Sequence, residues 1–246
     1  MDKERIINLL HLKKTPVYEQ LLIEESLLRT NNQNWCLINE GSLPSIVMGI
    51  SGKPHELINT KKIEHSPLPV IKRYSGGGTV IVDEETLFVS FIFEKEILSI
   101  PCYPEPLMKW SADFYKNALP IPEFQLKEND YTINHKKCGG NAQYITKNRF
   151  VHHTTFLWDY ENEKMDYLLQ PKRIPIYREN RPHSDFLCRL KDFLPTKKTF
   201  ISSIVKELSK IYSIKEVELP SITALLSTPH RISTTYALVS SLLRME

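Results

Sequence analysis

The chain has 246 residues with 32 basic and 29 acidic side chains, a net charge of +3, 41% hydrophobic residues and 25% charged ones. That length fits one large domain, or a domain with a small appendage, and the evenly mixed charge excludes the basic footprint of a nucleic-acid binder. No apolar run approaches the roughly 20 residues needed to cross a bilayer, and Cys36, Cys102, Cys138 and Cys188 are scattered without a Cys-x-x-Cys pair.

The opening stretch "MDKERIINLLHLKK" contains acids and lacks a long apolar core, so it reads neither as a secretory signal nor as a transit peptide. With the dispersed cysteines, this predicts a cytoplasmic location. "TPVYEQLLIEESLLRTNN" predicts an amphipathic helix, with Thr15 able to cap it, Pro16 in its first turn, and Leu21, Leu22, Leu27 and Leu28 at helical spacing. Strands are predicted over 35–39, 45–50, 69–74, 79–83 and 86–93, and a helix over 104–119. Asn134 and His135 can turn a hairpin between two further strands, and "RFVHHTTFLWDY" is another strand. After Glu161 the pattern turns helical, near 184–193, 197–212 and 232–245. Strands joined by short turns, with helices in blocks, predict an α+β fold: a largely antiparallel mixed sheet with flanking helices. The expected division is a catalytic domain over 1–196 and a helical tail over 197–246.

Glycine is scarce, and its placement is informative. Of eight glycines, Gly76, Gly77 and Gly78 follow Arg73 and Ser75, and Gly139 and Gly140 form a second cluster in "KKCGGNAQ". Consecutive backbone N–H groups in such a loop form an anion-binding concavity, to which Lys72, Arg73 and Ser75 add charge and a hydroxyl. The loop is neither a dinucleotide fingerprint nor a P-loop, because a strand follows instead of a helix. A tight turn without a ligand fits the three glycines equally well. Asn129 and Asp130 precede Lys137 across the predicted hairpin, which can bring an amide, an acid and an ammonium to one face. Asp130 could hold a Mg²⁺ carried by nucleotide phosphates, and Lys137 could stabilise charge developing in phosphoryl or acyl transfer. A polar hairpin with a surface Asp–Lys pair is the other reading. His152 and His153 point to opposite faces of a strand, so no zinc site is expected from them.

Taken in order, "RYSGGGTVIVD", "END", "KCGGNA" and "HHTTFLWD" resemble the motifs of the lipoate–protein ligase family over about residues 15–190. The resemblance implies the catalytic core shared with biotin–protein ligases and class II aminoacyl-tRNA synthetases. The Gly-Arg-Gly-Arg pattern of biotin ligases is missing, which argues against biotin. Carried over by matching residues, Arg73, Ser75, Gly76, Gly77 and Gly78 would form the loop over the acyl chain and its activated carboxylate. Asp83, Asn129 and Asp130 would lie near ATP and its metal. Lys137 would be the essential lysine, Gly140 and Ala142 would line the adenylate pocket, and His153 would be the histidine of the next strand. Val80, Val82, Phe88, Ile92 and Ile50 are candidates for an acyl channel. Val82 stands where the family usually carries His, and Thr154 where it usually carries Gly.

The implied activity uses ATP with Mg²⁺ to make lipoyl-AMP, then passes the lipoyl group to a lysine of a carrier. Lipoyl domains of 2-oxoacid dehydrogenase E2 subunits, or the glycine cleavage H protein, are the implied partners, with no nucleic acid and no membrane. The tail over 197–246 is short for the family's accessory domain, so a separate accessory subunit is a further possible partner. Two alternatives remain: an octanoyltransferase acting through a cysteine without ATP, and a non-catalytic module that binds lipoate or an adenylate.

Overall fold

The β-branched and aromatic runs of this chain fold into strands because long, stiff side chains pack well on a pleated surface. The computed structural model describes residues 5–170, 174–179 and 181–237. Within them the strands are β1 (Ile6–Lys13), β2 (Asn34–Glu40), β3 (Ser45–Met48), β4 (Val70–Lys72), β5 (Val80–Val82), β6 (Thr86–Glu94), β7 (Phe124–Lys127), β8 (Asp130–Ile133), β9 (Lys136–Ile145), β10 (Arg149–Leu157), β11 (Ser213–Val217) and β12 (Thr235–Tyr236). Eight of them form the main sheet in the order β11-β1-β2-β6-β10-β9-β8-β7. It is antiparallel except where β1 runs parallel to β2 and β11. The others form a smaller sheet, β12-β4-β3-β5. The expected α+β class, with a mixed and largely antiparallel sheet, is what the chain adopts.

Both faces of the main sheet are covered, and β6 is accordingly buried from Thr86 to Phe93. One face takes the helices Pro104–Ala118 and Lys197–Ile211 through Leu107, Tyr115, Phe200, Ile204 and Leu208. The other face takes the first helix, Val17–Thr30, through Val17, Leu21, Leu27 and Leu28. The first helix and the small sheet enclose the site between them.

Several local expectations change in the fold. Pro16, not Thr15, is the helix cap, and the free Val17 N–H donates to Ser42 Oγ at 2.8 Å. Ile6–Lys13, for which the sequence predicts no element, becomes β1 because strands far apart in the chain flank it on both sides. The helix predicted near 184–193 is two short turns, His183–Phe186 and Leu190–Asp192. Of the helix predicted over 232–245, residues 238–246 lie outside the described residues, and Thr235–Tyr236 pair as a strand with β4. That pairing is anchored by Glu25, whose carboxylate accepts the Ser233 and Thr234 N–H groups. After residue 196, the Lys197–Ile211 helix and β11 both join the main layers. Among the described residues no helix is long and apolar enough to cross a membrane.

Candidate functional site

The triple glycine lies between β4 and β5, and Arg73 holds it from within. Arg73 is buried, 3% exposed. Its guanidinium donates to the carbonyls of Gly76 at 2.8 Å and Gly78 at 2.9 Å, and its Nε donates to Ser75 Oγ at 3.1 Å. Burial lowers its pKa to about 10, so it remains charged at neutral pH. The charge of Arg73 is therefore engaged by the loop's own carbonyls. Ser75 is fully buried, and its carbonyl accepts the Ile50 N–H.

The three glycines differ in what they do. Gly77 has φ +112°, and a Cβ there would stand 2.6 Å from Arg73 Nη2 and 3.3 Å from Ala142 Cβ. A Cβ on Gly76 or Gly78 would meet nothing within 4 Å. Gly77 is thus needed by the fold, whereas Gly76 and Gly78 leave open space above the backbone. Gly49, which sequence reasoning missed, lies beneath: a Cβ there would be 2.3 Å from the Gly77 carbonyl oxygen.

Opposite this loop stands the β8–β9 hairpin. Asn134 and His135, at φ 48° and 65°, make its two-residue turn, since a hairpin turn that matches the right-handed strand twist needs positive φ at both central residues. A register shift between Tyr131 and Thr132 then sets Asp130 across from Gly140. Lys137 Nζ bonds Asp130 Oδ1 at 2.7 Å and lies over Gly140, where a Cβ would be only 3.3 Å from it. The Tyr177 hydroxyl donates to the other Asp130 oxygen at 2.8 Å. The acid and ammonium meet as the spacing predicts, and Asn129 lines the same cavity.

Loop and hairpin face one cavity of about 580 Å³, within the usual range for a small-molecule site. Arg73, Gly76, Gly77, Gly78, Asn129, Asp130, Lys137, Gly140, Ala142 and His153 all line it. Its apolar part is formed by Val17, Leu21, Val47, Val80, Val82 and Phe88. Ile92 is buried in the core and Ile50 is exposed, and neither lines it. Val82 in the family's histidine position adds to the apolar wall, and Thr154 accepts the Tyr115 hydroxyl proton at 3.0 Å. Ser75 and Asp83 are not brought to the cavity; Asp83 pairs with Lys164 at 2.7 Å instead.

His153 is held by a residue that sequence reasoning missed. Glu24, fully buried in the first helix, accepts from His153 Nδ1 at 3.0 Å, Ser90 Oγ at 2.6 Å, Gln20 Nε2 at 2.9 Å and Tyr74 Oη at 3.2 Å. Burial alone would raise its pKa, but the charge and hydrogen bond of His153, with those of Ser90 and Gln20, hold it below the ordinary carboxylate range. A signal was available in the sequence: Glu24 interrupts the apolar stripe Val17, Leu21, Leu28 of its own helix. His152, one residue away, points to the opposite face as expected. It bonds Tyr131 and Gln143, and burial with His153 nearby lowers its pKa to about 3.

Arg178 also lines the cavity, 4% exposed, with Nη2 buried and without a partner. A guanidinium left this way stands ready for an anion entering beside Lys137. For a metal the fit is poorer. Both Asp130 oxygens are engaged, and among the described residues no group of three His, Cys, Asp or Glu side chains could hold an ion. No cysteine lines the cavity.

Comparison with known proteins bears on this arrangement. Residues 16–209 match the lipoyl protein ligase A/B catalytic domain. The chain is 30% identical to the inactive lipoate–protein ligase 2 of Plasmodium falciparum, over 88% of this chain and 73% of that protein. Matches to lipoate–protein ligases of Mycoplasma genitalium and Bacillus subtilis span only 51% and 34% of those proteins. Among solved structures, the bipartite lipoate protein ligase of Thermoplasma acidophilum, described with its E2 lipoyl domain, gives a TM-score of 0.75 at 17% identity, covering 91% of both chains. A lipoate–protein ligase A bound with ATP gives 0.71 at 15% identity, covering 91% of this chain and 92% of that one. At these identities the structural likeness speaks for the fold.

Proposed function

The chain belongs to the lipoyl protein ligase A/B catalytic-domain family, and from that premise we propose that it is an ATP-dependent lipoate–protein ligase. The observation that carries this reading is Lys137, an ammonium laid over Gly140 in a cavity that is apolar on one side and faced by a glycine loop. A carboxylate is a poor electrophile, so lipoate must first be converted to a mixed anhydride with AMP. Its aliphatic chain enters among Val17, Leu21, Val80 and Phe88, each buried methylene contributing about 0.8 kcal/mol. Gly76 and Gly78 let the chain's carboxyl end approach the backbone. Lys137, drawn from Asp130 to the α-phosphate oxygens, neutralises charge as pyrophosphate leaves, and later the tetrahedral oxyanion as the carrier amine attacks. Arg178 takes a phosphate oxygen on its unpartnered Nη2. Mg²⁺ would be supplied with ATP, to neutralise charge on its phosphates. The carrier is proposed to be a lipoyl domain of the E2 or H-protein type, in the cytoplasm.

The test is direct. Incubated with ATP, Mg²⁺, lipoate and a purified lipoyl domain, the protein is expected to raise the carrier's mass by one lipoyl group. A second reading, a module that binds lipoate or its adenylate without catalysis, is favoured by the similarity to the inactive Plasmodium ligase. It predicts tight lipoyl-AMP binding, with no pyrophosphate released from ATP and lipoate.

The octanoyltransferase alternative requires a thiolate at the acyl group. Cys138 follows Lys137, but it is fully buried on the other face, its thiol donating to the Tyr131 carbonyl at 3.4 Å. Burial and the adjacent Cys188 push its pKa up, away from the thiolate. Cys138→Ser is therefore expected to keep most of the ligase activity, with carrier modification still requiring ATP. ATP-independent transfer from an octanoyl carrier, lost on this substitution, would overturn the assignment.

A further inference from the structure

The proposed mechanism leaves one proton unaccounted for. The carrier lysine must enter as a free amine or lose a proton as it attacks, and Lys137, a cation, cannot accept it. The buried carboxylate–imidazole pair of Glu24 and His153 has the form this task needs. Glu24 is 0% exposed, and its four donors come from the first helix itself, the Tyr74 end of the glycine loop, β6 and β10. An ionised carboxylate accepts only, so His153 Nδ1 must carry the proton in their 3.0 Å bond. Nε2, on the far edge of the ring, has no protein partner among the described residues, and His153 lines the cavity.

We propose that Glu24 is a positioning residue that holds His153 in its Nδ1–H tautomer, so that Nε2 takes the proton the carrier ammonium must lose before its amine attacks the acyl-adenylate. This rests on the ligase reading given above. The step balances within the chain: the amine lone pair forms the C–N bond, and the C–O bond to phosphorus breaks with its electrons leaving on AMP. His153 Nε2 takes the first proton from the ammonium and passes it to solvent; the second, lost from nitrogen once the C–N bond has formed, leaves to solvent, as it does with hydroxylamine. The carboxylate keeps its charge throughout, compensating the imidazolium. The titratable group bonded to His153 is Glu24 on the first helix, to which the Tyr74 hydroxyl of the loop also donates; His152, next to it on the strand, points to the other face, and Arg73, Lys137 and Asp130 line the same cavity.

The experiment supplies synthetic lipoyl-AMP to the full chain, bypassing ATP, and follows its consumption by Nα-acetyl-lysine amide or by hydroxylamine, which is unprotonated at neutral pH. Glu24→Gln preserves shape and removes the charge. It is expected to slow transfer to the lysine amide roughly 100-fold and to leave hydroxylamine transfer within about threefold. Equal losses with both amines, or no loss with either, would overturn the proposal, as would a wild type that gains nothing from the lysine amide. Should Glu24→Gln fail to fold, ¹⁵N NMR of the wild-type imidazole decides: an Nδ1–H tautomer supports the pair, an Nε2–H tautomer sinks it. Absence of pyrophosphate release from ATP and lipoate, with transfer from supplied lipoyl-AMP intact, would defeat the ligase reading and leave this inference standing.

Discussion

Lys137→Ala is expected to lower lipoate-dependent pyrophosphate release by about 1,000-fold, the upper end of the range for removing one preorganised donor from an active site. The lysine is an ammonium of the cavity opposite the glycine loop, and its ion-pair partner among the described residues, Asp130, is retained by Tyr177 in the variant. Losing this hydrogen bond to a charged group costs about 1.5–3 kcal/mol of stability, so the melting temperature falls modestly while the fold persists. Lys137→Arg is expected to fail nearly as far. Nζ lies 3.3 Å from where a Cβ on Gly140 would stand, and a planar guanidinium does not fit over that backbone as a compact ammonium does. Near-normal pyrophosphate release by either variant would remove Lys137 from the mechanism.

The glycine loop should separate into two behaviours. Gly77→Val places a β-branched residue at φ +112° and drives its Cβ into Arg73 Nη2, the group that pins Gly76 and Gly78. Backbone strain of about 1–3 kcal/mol, with the displaced guanidinium added, should lower the melting temperature and weaken lipoate binding together. Gly78→Val has neither penalty: φ is outside the left-handed region, and a Cβ meets nothing within 4 Å. It should leave the melting curve nearly unchanged and reduce lipoate affinity by tenfold or more, because its side chain fills space reserved for ligand. Calorimetric titration beside thermal unfolding reads both quantities. Unchanged lipoate affinity in Gly78→Val would make the triple glycine a simple turn.

Much of this site is legible along the chain because the relevant contacts are local. Asp130 and Lys137 sit on one hairpin, so turn chemistry and strand alternation bring them to one face, while the register shift between Tyr131 and Thr132 sets Gly140 beside them. The opposite orientations of His152 and His153 follow from the same alternation. The strand and helix periods were enough for an α+β class, since each element's apolar spacing is a property of its own residues.

What the tertiary structure decided are partnerships between distant segments. Arg73 reads in sequence as a cation approaching a ligand, yet burial makes its best acceptors the loop's own carbonyls. Ile6–Lys13 becomes a central strand only because residues 34–40 and 213–217 flank it. Thr235–Tyr236 form a strand because β4 offers a free edge, while Glu25 takes the N–H groups just before it. Glu24 and His153 are 129 residues apart, and no spacing rule connects them. A side chain's face follows from local geometry, but its charge, tautomer and exposure depend on what the rest of the chain packs against it.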